Sequence, residues 1–427
     1  MKRYDTFQDC PTPWLAQVPS HWRKLRYKDV MRPKDIKVGD NPVTLLSLTK
    51  KGVIVRDISE GKGKFPSDFS SYKIVEPNDL IMCLFDVDET PRTIGIAHDS
   101  GMITGAYDIF NVANVSRDFL LYHFLHIDDK KAFKPLYKGL RKVVPLPSLL
   151  SSYVYLPPIL EQEAIVAFLD SKISKIDAYI GEREKEIIAL GEFKQAEIAS
   201  VVTRGLNPDV PMRDSGIPWL GKIPAHWHLK QLRAYLKLIS DKGHGDKQLL
   251  SVTREQGVII RNVESKEENH NFIPEDLSGY KLIKPGQFAV NKMKSWQGSY
   301  GVSEYEGIVS PAYYVCELNF PCKEFFSIAI RSKAYIPFFT QLSKGIRVDQ
   351  WDLSPIALKS IYFAEPPIEE QQAIVDYINA KTEKVDGLIA DLSAQIEKLK
   401  EYKQRLISDA VTGQIDVRDY KPTTSAQ

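Results

Sequence analysis

Two short runs of this sequence set a histidine beside a tryptophan just after a proline: Pro19-Ser20-His21-Trp22 and Pro224-Ala225-His226-Trp227. Histidine can act as a base or a metal ligand. Neither copy has a carboxylate or cysteine at ligand spacing, so both read as structural turns. A carboxylate followed by Glu-x-Lys is a pattern used by metal-dependent nucleases, and Asp177 with Glu192-Phe193-Lys194 fits it on paper. These residues fall inside a heptad pattern in which Lys194 takes a seam position, and a solvated helix face accounts for them better. Nucleotide chemistry would require a glycine-rich phosphate cradle. Gly61-Lys62-Gly63-Lys64 and Gly243-His244-Gly245 lack the remaining spacing of both the dinucleotide and the P-loop patterns. Amino-methyl transfer would require Asn-Pro-Pro-aromatic; Asn207-Pro208-Asp209 lacks the second proline. No catalytic residue and no metal ligand is assigned, and an enzyme with an unrecognised site stands as the alternative.

The residues that do recur are those of an entire frame. Trp14-Leu15-Ala16-Gln17-Val18-Pro19-Ser20-His21-Trp22 returns as Trp219-Leu220-Gly221-Lys222-Ile223-Pro224-Ala225-His226-Trp227, at an offset of 205. Gly52-Val53-Ile54 with Arg56 returns as Gly257-Val258-Ile259 with Arg261, and Lys138-Gly139-Leu140-Arg141 as Lys344-Gly345-Ile346-Arg347. Pro158-Ile159 with Glu161-Gln162 returns as Pro367-Ile368 with Glu370-Gln371. Such a period is too long for a solenoid repeat and suits a domain with an appendage.

The appendage is helical. Pro157-Pro158 and Pro366-Pro367 suit a first helical turn, and the acidic residues that follow suit its dipole. Stepping alternately three and four residues from Val166 to Val201 meets eight apolar side chains in eleven positions; the same frame from Val375 to Ala410 meets nine. So narrow a stripe predicts a coiled-coil seam in preference to two helices each lying on its own domain. The first helix delivers the chain to the second domain, so full pairing requires the second to run back. The expected arrangement is an antiparallel coiled coil with a pseudo-twofold axis.

Composition agrees with an ordinary folded protein: 427 residues, 43% hydrophobic, 26% charged and 10% aromatic. It excludes disordered and collagen-like classes. No apolar run approaches the length of a membrane span and no leader-like apolar core follows Met1, which predicts a cytoplasmic protein with no membrane partner. Cys10, Cys83, Cys316 and Cys322 are spaced for neither a zinc site nor a disulfide framework, and reduced thiols are expected. The overall charge of +2 divides into +5 over 1–157, −3 over 158–205, +3 over 206–365 and −3 over 366–427. Basic blocks alternate with acidic ones, a modest pointer to nucleic acid. The expected fold is α+β: a domain over 1–157, a helical spacer over 158–205, a second domain over 206–365, a C-terminal helical spacer over 366–415 and a flexible tail over 416–427.

These features resemble the specificity subunit of type I restriction-modification systems. The resemblance rests on Pro157-Pro158-Ile159-Leu160-Glu161-Gln162-Glu163-Ala164-Ile165 and Pro366-Pro367-Ile368-Glu369-Glu370-Gln371-Gln372-Ala373-Ile374. It rests also on Asp214-Ser215-Gly216-Ile217-Pro218-Trp219-Leu220-Gly221 and Val411-Thr412-Gly413-Gln414-Ile415-Asp416, and it covers essentially the whole chain. It departs at Leu160, which stands opposite Glu369, and at Asp9-Cys10-Pro11, which lacks the Ser-Gly of the second copy. The resemblance implies a non-catalytic subunit with two target-recognition domains, each reading half of a split sequence in double-stranded DNA. It implies helices that set the spacing and dock two modification subunits, S-adenosylmethionine carried by those partners and no cofactor in this chain, and restriction subunits added to that core.

The repeat sorts contact candidates. Groups kept in both copies should hold phosphate or structure, and groups that differ should face base edges. Arg56 with Arg261, and Lys138 and Arg141 with Lys344 and Arg347, are phosphate candidates; a domain-internal salt bridge serves equally for the Arg56 pair. Asn291-Lys292-Met293-Lys294-Ser295-Trp296 stands opposite Cys83-Leu84-Phe85-Asp86-Val87-Asp88, cationic against acidic. Lys292, Lys294 and Trp296 are therefore base-reading candidates, with a core role equally open to Trp296; Arg92 and Arg254 are weaker ones. Pro158, Glu161 and Gln162, with Pro367, Glu370 and Gln371, occur once per half and are candidates for partner docking.

Overall fold

The computed structural model describes residues 2–39, 43–56, 69–263, 274–345 and 351–420. The chain divides into two compact units, the first comprising 1–183 with 394–427 and the second 184–393. Both proline pairs open long helices, Ile159–Arg204 and Ile368–Val411, hereafter the central and C-terminal helices. Each unit thus contains a piece of both.

Within the first unit the four-stranded antiparallel sheet runs in the order Met31–Lys34, Asp108–Val112, Leu80–Met82, Ile94–Ile96. Within the second the order is Leu236–Ile239, Tyr313–Leu318, Phe288–Asn291, Tyr300–Val302, which is the same topology strand for strand. The smaller pairings repeat too. The hairpin Leu46–Thr49 with Gly52–Val55 matches Leu250–Thr253 with Gly257–Ile260. Likewise Arg23–Arg26 pairs with Tyr153–Leu156, as His228–Gln231 pairs with Tyr362–Glu365. Sheet residues such as Ile81, Phe110, Phe288 and Val315 are fully buried, as central antiparallel strands covered on both faces must be. Gly101 and Gly307 occupy equivalent strand positions. A Cβ at either would collide with a backbone carbonyl, that of Thr44 or of Gln248, so close strand approach excludes any larger residue.

The long helices pair within each unit through the predicted seam. In the first unit Leu169, Ile176 and Ile180 are buried from one helix and Ile396, Leu406 and Ala410 from the other. In the second unit Lys194 pairs with Asp386 at 2.6 Å, and Tyr377 donates its hydroxyl to Glu197. Advancing three residues along the central helix retreats nine along the C-terminal one, so the helices run antiparallel. In the first unit Asp177 pairs with Lys403 at 2.7 Å. Asp177 and Lys194, which matched a nuclease pattern in sequence, are spent on ion pairs between helices. No helix among the described residues is long and apolar enough to cross a membrane.

Candidate nucleic-acid interface

The His-Trp turns and the Pro-Pro-Ile-x-Glu-Gln starts are two parts of one joint, assembled once in each unit. In the first, Glu161 is 5% exposed and accepts hydrogen bonds from Trp22 Nε1 at 2.9 Å and from the Tyr4 hydroxyl at 2.7 Å, with His21 Nε2 at 2.7 Å. In the second, Glu370 accepts from Trp227 Nε1 at 3.0 Å, with His226 Nε2 at 2.8 Å. Gln162 donates to Pro157 O and accepts from the Ser116 amide; Gln371 donates to Pro366 O and accepts from the Cys322 amide. Ser116 and Cys322 each cap a further helix, Arg117–Asp129 and Lys323–Arg331, through their side chains. A carboxylate buried among three donors satisfies its lone pairs and locks the domain to the helix start. Burial and the Glu161 carboxylate raise the Tyr4 hydroxyl well above its ordinary value.

Glu161, Gln162, Glu370 and Gln371, the candidates for partner docking, thus also build the joint within each unit. Glu161, Gln162 and Gln371 are buried, Glu370 is partly so, and their polar atoms are used inside the unit. The surface at these turns is formed instead by Pro158, Ile159 and Leu160 and by Pro367 and Ile368, all exposed. No carboxylate stands near either histidine in the sequence because its partner lies about 140 residues away.

The basic candidates fall into three kinds. Arg56 and Arg261 are half-buried at equivalent hairpin ends, their amides donating to Leu45 O and Leu249 O at 2.8 and 3.0 Å. Their matched placement agrees with a shared structural role. Arg92 is a clamp: its Nε donates to Ile94 O at 2.9 Å and a terminal nitrogen donates to Lys50 O at 3.2 Å, and burial lowers its guanidinium below the usual value. This weaker base-reading candidate thus supports the hairpin. In the second unit the same task falls to Arg331, which donates to Arg254 O and Glu255 O from a different element. Arg254 itself is exposed.

The third kind lies on two adjoining loops in each unit. Lys138 and Val143 exchange backbone hydrogen bonds, presenting Gly139, the fully exposed Leu140 and Arg141 at a tip. Lys344 and Asp352 exchange the equivalent bonds in the second unit, and Lys344 is exposed. Arg347 and the Gly61-Lys62-Gly63-Lys64 run lie outside the described residues. The neighbouring loops are those that differ in charge between copies. Val144 N donates to Leu84 O, and Leu353 N to Lys292 O, so loop docks on loop in the same way twice. The ion pair joining them is reversed in polarity: Asp86 to Arg141 at 2.9 Å in the first unit, Lys292 to Asp352 at 2.9 Å in the second. Asp352 accordingly holds the Lys292 ammonium above its usual value. Lys294 is exposed, and Trp296 is half-buried with its ring edge-on to Trp351 at 5.4 Å. The Trp296 Nε1 is buried without a partner among the described residues.

No protein-family model matches the sequence, and no curated protein matches it. Solved structures do match. One chain, from a structure describing complex assembly and conformational transition of the type I R-M system, superposes with a TM-score of 0.62 at 14% identity, over 93% of this chain and 99% of that one. The HsdS subunit from Thermoanaerobacter tengcongensis matches at TM-score 0.47 and 14% identity, over 93% and 98% of the two chains. The type I restriction-modification S subunit from M. genitalium matches at 0.32 and 12%, over 91% and 96%. The first of these shows a shared fold: α+β units, each holding a stretch of two long antiparallel helices.

Proposed function

We propose that this chain is the DNA sequence-recognition and scaffold subunit of a type I restriction-modification complex. Residues 1–157 and 206–365 are its two target-recognition domains, and 158–205 and 366–415 its helical spacers, with 416–427 a tail. Each domain reads one half of a bipartite duplex target. The helices fix the gap between halves and dock two modification subunits, which carry S-adenosylmethionine and perform the methylation; restriction subunits join that core. The chain contributes no catalytic group, and it works in the cytoplasm.

The observation that carries this reading is the pair of docked loops. One frame, repeated strand for strand, holds loops of opposite charge at the same place: Asp86 against Arg141, Lys292 against Asp352. A duplicated enzyme would keep its reactive groups in both copies. A duplicated reader of two different sequences keeps its frame and varies the loops. The test is selection of bound duplexes from a randomised pool by the full chain with its modification subunits. Two fixed half-sequences separated by a constant unread gap are expected; one continuous motif, or no motif, would contradict the reading.

A further inference from the structure

The loop pair of the first unit is built unlike that of the second in a way that the exchange of ion-pair polarity alone does not require. Three carboxylates, Asp86, Asp88 and Glu89, face the cations of the adjoining tip. Asp86 pairs with Arg141 at 2.9 Å, while Lys142 reaches Asp88 at 3.0 Å and Glu89 at 3.3 Å. The Asp86 amide also donates to Arg141 O, and the Arg141 guanidinium stands over the Phe85 ring at 5.4 Å. In the second unit the equivalent loop carries Lys292 and Lys294, and Lys294 is paired with no carboxylate among the described residues.

The backbone marks the same place. Among the described residues five non-glycine residues adopt a left-handed conformation, and three of them meet here: Asp86 at φ 47°, Lys131 at 48° and Lys142 at 46°. Lys131 donates to Thr90 O at the end of the acidic segment. Holding lysine in that region costs on the order of 1 kcal/mol each, and such strain collects where a loop is held for function. Here it holds cations against carboxylates at the surface: Arg141 is 70% exposed, and its pairing is optional on packing grounds.

We infer that Asp86, Asp88 and Glu89 form a charge latch that withholds Arg141 and Lys142 from the phosphates of non-cognate duplex DNA. The inference rests on the proposed role in DNA recognition and deepens it. A phosphate that approaches Arg141 meets a guanidinium already neutralised by Asp86 and the repulsion of two further carboxylates. Among the described residues of the second unit no carboxylate pairs with Lys294 or Lys344, so these engage any duplex. Non-specific affinity therefore comes chiefly from the second unit, and the first adds its phosphate contacts only where base contacts compensate for opening the latch.

The test uses the full chain, a mixed-sequence duplex lacking the target, and fluorescence anisotropy across a salt series. The variant Asp86→Asn with Asp88→Asn and Glu89→Gln keeps side-chain shape, including the acceptor for the Tyr137 hydroxyl. It should bind about fivefold tighter or more, with a salt slope steeper by about two, as two freed cations displace counterions. Adding Arg141→Ala and Lys142→Ala to that variant should return both quantities to the wild-type values, and unchanged melting profiles would show that the loops still fold. Wild-type binding at every salt concentration by the triple variant would overturn the latch while leaving DNA recognition standing. No duplex binding by any form at low salt would overturn both.

Discussion

Trp22 and Glu161 stand 139 residues apart in sequence and are joined by an indole N–H to carboxylate hydrogen bond of 2.9 Å. The same tryptophan lies against the end of the other long helix: Gly413, in a left-handed conformation at φ 69°, sits where a Cβ would meet the indole and collide with Pro19. In the second unit Trp227 repeats both relations, with Glu370 and with Gly205 at φ 75°. Each tryptophan therefore ties the start of one helix and the end of the other to a single turn.

That joint ranks two substitutions. Glu161→Gln removes a buried acceptor shared by Tyr4, His21 and Trp22, and should cost about 1–3 kcal/mol in denaturant unfolding. Glu370→Gln should cost less, because the Glu370 side chain is 24% exposed against 5% for Glu161 and water already screens it. Equal costs would show that burial is not what gives the joint its strength.

The matched glycines predict a matched loss. Gly101→Ala and Gly307→Ala each drive a methyl group into a backbone carbonyl of the adjoining strand, and should destabilise their own unit by about 1–3 kcal/mol. Hydrogen exchange would locate each loss, in 43–112 for the first and in 248–318 for the second.

Acid should weaken the first unit selectively. His123 is fully buried with Nε2 on the Tyr27 hydroxyl at 2.8 Å, and His126 is 2% exposed. Burial lowers them from an ordinary 6.5 to about 3 and about 4. The unfolded chain therefore takes up protons that the folded one refuses. Stability is fully present above about pH 6.5 and is lost as the pH falls from there toward the folded values, by at most about 1.4 kcal/mol per unit for each histidine. Unfolding curves between pH 7.5 and 5 should show this slope, and His126→Gln should roughly halve it.

Single cations should separate by their partners. Lys294→Ala removes an exposed cation and should lower the salt slope of duplex binding by about one. Arg141→Ala removes one already held by Asp86 and should change non-specific binding much less. Selection of bound sequences with Lys294→Ala or Trp296→Ala should alter the preference at only one of the two half-sequences.

The repeat, both helix starts and the heptad seams were legible because each is local or periodic: proline fixes a first turn, and burial every three or four residues marks a seam. The partners across the frame were not. Glu161 looks like a surface acid at a helix start until the fold places Trp22 and His21 against it. Arg92 has no counterpart at its own repeat position, because Arg331 supplies the clamp from a helix. The reversed pair was half visible, as a charge difference between Asp86 and Lys292. Only the fold shows that Arg141 and Asp352 face those residues and that part of the difference is complementarity within each unit.

The central claim, two readers held at a distance by paired helices, is tested most directly by lengthening both helices together. One heptad inserted between Arg183 and Glu184, and one between Ser393 and Ala394, keeps the seam and the pairs Asp177–Lys403 and Lys194–Asp386 within their units. Seven residues add about 10 Å, or about three base pairs. Duplexes selected by this variant should carry the same two half-sequences with the gap longer by about three base pairs. An unchanged gap with undiminished binding, or altered half-sequences, would contradict the account.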